Sequence, residues 1–116
     1  MVPAEVIEEL RQLYESSADR AIDLHRYSGP LFDVVFEIIT ADTFVAGVAS
    51  KLLDRQAVTP EEADVVNSPL LLDSRMWLRD DRRLFDIKPY PEIHRVAMYL
   101  ERLRAKCHEA LGLANS

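Results

Sequence analysis

The longest apolar run in the chain is Leu31 to Leu53, LFDVVFEIITADTFVAGVASKLL. At helical period, Asp33, Glu37, Thr40, Gly47, Lys51 and Arg55 gather on one side. Val35, Ile38, Ile39, Val45, Ala46, Ala49, Leu52 and Leu53 cover much of the other. The apolar arc is wide, so the helix is expected to touch more than one neighbour. Small residues at Ala41, Ala46, Gly47, Ala49 and Ser50 would let another backbone come close. The β-branched Val34, Val35, Val45 and Val48 also suit a strand, but buried strands are usually less than half this long. A membrane span is not expected, because Asp33, Glu37 and Asp42 would each be costly in hydrocarbon.

Amphipathic segments flank this run. Val6, Leu10, Leu13, Ser17, Ala21 and Leu24 recur at steps of three and four, which predicts a first helix from Pro3 to about His25. Ser28-Gly29-Pro30 ends it and starts the next. The central helix is expected to reach about Arg55. Thr59-Pro60-Glu61-Glu62 is a capping-box signature for a third helix, stopped by Asn67-Ser68-Pro69. Leu70 to Leu78 reads as a short helix rather than a strand, and Lys88-Pro89-Tyr90-Pro91 as a rigid turn. Ile93, Val96, Ala97, Leu100, Leu103, Cys107, Ala110 and Leu111 predict a last helix from Pro91 or Glu92 to Leu111, with Gly112 as C-cap. The expected fold is all-α: one domain, residues 1–116, built as a bundle of four main helices with a short fifth. The central apolar helix is packed by the two terminal ones.

Composition narrows the classes. In 116 residues, 48% are apolar, which is enough for a packed core without staples. The single cysteine, Cys107, excludes an intrachain disulfide framework. No signal-peptide pattern stands at the N-terminus, so a reducing, cytoplasmic setting is expected. The net charge of −6 is unevenly spread: residues 1–73 carry nine more acids than bases, and residues 74–116 carry three more bases than acids. An acidic body disfavours duplex phosphate, and no nucleic-acid motif accompanies the basic third. The charge asymmetry suits complementarity within the fold or across a subunit interface.

Chemistry is sparsely signalled. There is no glycine-rich phosphate loop, nucleophile elbow or HExxH. Asp42 falls among Val35, Ile38, Val45 and Ala49, so it must be accommodated. A break or cap within TADT is the first expectation, an ion pair with an arginine of the C-terminal third the second, and a ligand role the third. Asp33 and Glu37 share a helix face and, with His25, make the alternative candidates for a bundle metal site or carboxylate chemistry, although no Glu-x-x-His is present. Cys107 lies on an apolar stripe and reads as an inert core thiol.

The stronger clue is the cluster of Trp77, Arg79, Arg82, Arg83, Phe85 and Tyr90, with Met76 beside it. Such side chains are enriched at protein-interface centres. They could also close the core beneath a long connection, or hold a small anion on Arg82 or Arg83. The sequence therefore leads to a non-catalytic regulator, adaptor or inhibitor acting through protein–protein contact. The expected partner has a basic surface, the central helix is apolar enough to be shared in a homodimer, and no cofactor is expected.

Overall fold

The chain is organised by two helices of 24 residues each, α2 (Pro30–Leu53) and α4 (Pro91–Ala114), which pack against one another. The computed structural model describes residues 2–78 and 83–115. Before α2 come α1 (Ala4–Glu15) and two 3-10 turns, Ser17–Arg20 and Leu24–Arg26. Between α2 and α4 lie α3 (Pro60–Asn67) and three short strands, β1 (Leu71–Leu72), β2 (Arg75–Trp77) and β3 (Leu84–Asp86). The helical bundle is as expected, but an all-α class is not: the strands form an antiparallel sheet in the order β1-β2-β3.

The core is the meeting of two stripes. Val34, Val35, Ile38, Val45, Val48, Ala49 and Leu52 of α2 face Ile93, Val96, Ala97, Leu100, Leu103, Cys107, Ala110 and Leu111 of α4. Each large side chain removed from water contributes about 1.5–3 kcal/mol, so these two stripes supply most of the driving force. α1 adds Leu10, α3 adds Val66, and the strand region adds Met76, Leu78 and Ile87. α1 and α3 each touch both long helices, so α4 is as central as α2.

The first helix is much shorter than its periodicity suggests. It stops at Glu15, where Ser16 turns its Oγ back onto the Gln12 carbonyl at 2.7 Å. The reason lies five residues on. Arg20 is buried, with 6% of its surface exposed, and its guanidinium points back at the end of α1. Nη1 donates to the Leu13 carbonyl and Nη2 to the Tyr14 carbonyl at 3.2 Å, two acceptors that a helix end leaves without partners. Nε donates to Asp42 Oδ1 at 2.7 Å. A continuous helix would carry Arg20 away from these carbonyls, so the 3-10 turn is what brings the cation home.

Asp42 thereby receives a different account from the expected break. α2 runs unbroken through TADT, with Thr40 and Thr43 hydroxyls bonded to the Phe36 and Ile39 carbonyls at 2.9 and 3.1 Å. The carboxylate is an ion-pair member, and its partner is Arg20 from the N-terminal segment rather than the C-terminal third.

Arg104 repeats the device. It is also 6% exposed, grips both oxygens of Glu101 at 2.8–3.0 Å, and donates to the Val66 carbonyl at the end of α3. Glu101 Oε2 accepts the Leu70 N–H at 2.9 Å, which ties the start of the strand region to α4. Glu101 and Arg104, three apart on α4, are thus paired, while Arg95 reaches Asp19 and Glu92 accepts the Tyr27 hydroxyl at 2.7 Å.

Leu70 to Leu78 is a hairpin, not a helix. Leu71 pairs with Met76 and Leu72 with Arg75, so Asp73 and Ser74 alone make the turn. Both have positive φ, 49° and 63°, as a two-residue hairpin turn of this twist demands. Asn-Gly or Asp-Gly would have announced it; Asp-Ser does not. Gly29 takes φ 63° ahead of Pro30, and α4 continues through Gly112 to Ala114 rather than capping there.

The capping box of α3 forms as read: Glu62 N–H donates to Thr59 Oγ1 at 3.2 Å and Thr59 N–H donates to Glu62 Oε1 at 3.0 Å. Lys51 Nζ also reaches Glu62 at 2.7 Å, and these bonds hold its carboxyl down at about 2, the lysine contributing most.

Two outcomes are expected. Arg20→Ala strands Asp42 and two helix-end carbonyls, and should cost about 3 kcal/mol or more in urea unfolding. For Glu62, the folded value lies below the ordinary 4.5, so its contribution is present above that pH and is lost as pH falls toward about 2. The stability gap between the native chain and Glu62→Gln should therefore be open at neutral pH and close across that window.

Candidate interaction surface

A helix with a wide apolar arc has two ways to use it: bury it all, or leave part outside. α2 does both. Opposite its buried stripe, Phe36 is 53% exposed and Phe44 50%, with Phe32 at 38%. Phe32 and Phe36 are one turn apart, and Phe44 lies two turns further on. They share the outward side with Asp33, Thr43 and Gly47, all exposed.

The hairpin forms the other wall of a groove. Along β2 the pleat alternates, placing Arg75 and Trp77 outside and Met76 inside. The groove, about 330 Å³, is lined by Phe36, Glu37, Thr40 and Ala41 from α2 and by Pro69, Leu70, Met76 and Trp77 from the strand side. Met76 is buried at its base, while Phe36 and Trp77, the latter 48% exposed, remain half open to water. Leu72 adds a further exposed apolar side chain on β1.

The predicted interaction residues are divided by the fold. Trp77 lies in the groove. Phe85 pairs with Met76 across the sheet, and its ring stacks on Tyr90 at 6.3 Å between centroids and 24° between planes. Both pack against the core, so these two belong to the core-closing alternative rather than to an open surface. Arg83 is exposed and its carbonyl accepts the Leu78 N–H at 2.9 Å. Arg79 and Arg82 lie outside the described residues.

The carboxylate alternative is likewise divided. Glu37 lines the groove, Asp33 stands exposed one turn earlier, and His25 is exposed in the second 3-10 turn. Among the described residues no group of three His, Cys, Asp or Glu side chains is placed to hold a metal ion. Also among the described residues, no helix is long and apolar enough to cross a membrane.

Reading residues 31–53 as broadly apolar hid Phe32, Phe36 and Phe44. The available signal was their position on the wheel: they interleave with Asp33, Thr40 and Gly47 on the polar side. An aromatic among polar neighbours is a better surface clue than one in an apolar stripe.

Cys107 sits fully buried on α4, and burial pushes its thiol up to about 12 despite the opposing influence of Arg104 and Arg20. The thiolate is the reactive form. Under native conditions at neutral pH, labelling by an aromatic disulfide reagent should therefore follow the rate of unfolding and become rapid only in denaturant. Fast native labelling would contradict the packing.

Compared with family models, curated proteins and solved structures, the chain matches none of them.

Proposed function

We propose that this protein acts by non-catalytic contact with another protein, as a small regulator, adaptor or inhibitor, through the outward side of α2 and the groove beside Trp77. One observation carries the reading: two half-exposed aromatics, Phe36 and Trp77, line the same groove over an apolar base. Together with Phe32, Phe44 and Leu72 they leave on the order of 450 Å² of apolar side chain in water, at about 150–250 Å² for each aromatic. Apolar patches of a few hundred Å² on a protein surface are often functional. Aromatic anchors beside a pocket are also the residues on which binding energy concentrates.

The test is a pair of surface substitutions, Phe36→Ser and Trp77→Ser. Both side chains are half exposed, so circular dichroism should stay native. Partner retention by the tagged protein, from an extract of its own host, should fall at least about thirtyfold, equivalent to about 2 kcal/mol at an interface anchor. A doubly substituted, correctly folded protein that retains partners as well as the unaltered chain sinks the reading.

A further inference from the structure

We propose a second site, away from the groove: a cleft at the end of α2 that binds a small amphipathic carboxylate, its hydrocarbon inside and its carboxylate on Arg55. The cleft, about 680 Å³, lies where the end of α2 meets the start of α1 and the end of α4. That volume falls within the roughly 300–1,000 Å³ of ordinary small-ligand sites. Val2, Ala4, Ile7, Leu52 and Ala114 give it apolar walls, and Glu8, Arg55 and Gln56 are its polar residues. Leu52 is buried, and Val2 and Ile7 are half-buried. The cleft shares no lining residue with the groove beside Trp77, so the two sites are independent.

The backbone singles out Arg55. α2 ends in a Schellman arrangement: the Gln56 N–H donates to the Lys51 carbonyl at 2.8 Å and the Arg55 N–H to the Leu52 carbonyl at 3.3 Å. This ending places residue 55 in the left-handed region, at φ 57°. Glycine takes that conformation freely, whereas a residue with a Cβ does so under strain. Strain held at one residue points to a use for its side chain. Packing is not that use, because Arg55 is exposed. Nor is an ion pair: among the described residues the Arg55 guanidinium has no partner within the chain. Positive charge for the carbonyl end of α2 is already supplied by Lys51 in the last turn. What remains is the cleft that Arg55 lines.

The lining narrows the ligand. A guanidinium presents parallel N–H donors that match the two oxygens of a carboxylate. Gln56 can add an amide N–H. Ala4 opens α1, whose positive end carries no side-chain cap. The other charges here are acids, Glu8 in the wall and Asp54 next to Arg55. Glu8 accepts from Gln12 Nε2 at 3.4 Å and stands 3.8 Å from Arg11 Nε, so its charge is partly answered within the chain. Beside two acids, a doubly charged head such as a phosphate monoester is disfavoured, while a single carboxylate can be held by Arg55. The apolar walls call for hydrocarbon in the rest of the ligand. The ligand class is therefore a fatty acid.

Displacement of cis-parinarate, a polyene fatty acid that fluoresces in apolar surroundings, tests the site on the full chain. The unaltered protein should bind this probe saturably. Decanoate should displace it about tenfold or more better than decanol, the margin expected of a hydrogen bond to a charged group. Arg55→Gly is the informative variant, because glycine suits φ 57° and circular dichroism should stay native. It should lose about tenfold or more in decanoate affinity and leave decanol unchanged. Glu8→Gln should tighten decanoate, because it removes a like charge from the wall. An intact chain that does not bind the probe saturably, equal displacement by acid and alcohol, or a folded R55G chain that holds decanoate as tightly as its parent overturns the site. None of these results bears on partner retention through Phe36 and Trp77.

Discussion

A buried guanidinium on a short turn governs how the N-terminal third of the molecule meets the rest. Arg20 closes the carbonyl end of α1 and pairs with Asp42 halfway along α2. Both jobs follow from one physical demand. A cation taken out of water must have its donors satisfied and its charge opposed, or the fold loses several kcal/mol. The negative end of a helix and a carboxylate on the neighbouring helix meet that demand together. In doing so they set where α1 stops and how it sits on α2.

Arg104 does the same at the other side of the bundle, closing α3 through Val66 and pairing with Glu101 on its own helix. Between these two clamps the α2–α4 interface is free to be almost wholly apolar. Among the described residues no buried side-chain nitrogen or oxygen lacks a partner. The bundle thus keeps its polar obligations at helix ends, where unsatisfied carbonyls already exist, and out of the middle of the core. Lys106, which bonds Glu9 and Glu109 at the surface, adds a link between α4 and α1.

With its inner arc committed to α4, α1 and α3, α2 has a second apolar allotment facing outward. Phe36 and Phe44 gain nothing for the isolated fold by standing half in water. The hairpin adds Trp77 to the same region. This half-exposed aromatic surface is what the proposed protein contact would cover.

Much of the architecture could be read from local pattern, because helical period and capping chemistry act over a few residues. The stripes of α2 and α4, and the Thr59–Glu62 box of α3, are of this sort. The inert setting of Cys107 was also legible, since it lies in a regular stripe. Other features needed residues distant in the chain. The stop of α1 was concealed because its apolar spacing continues past Glu15, and only the burial of Arg20 against Asp42 decides otherwise. The hairpin was concealed because two- and three-residue strands carry too little periodicity, and Asp73-Ser74 lacks the glycine that advertises such a turn. The groove could not be seen beforehand at all: Phe36 and Trp77 stand forty-one positions apart. Local physics sets which stretches coil and which side of each is greasy; which greasy side chains stay in water depends on how many neighbours the finished packing supplies.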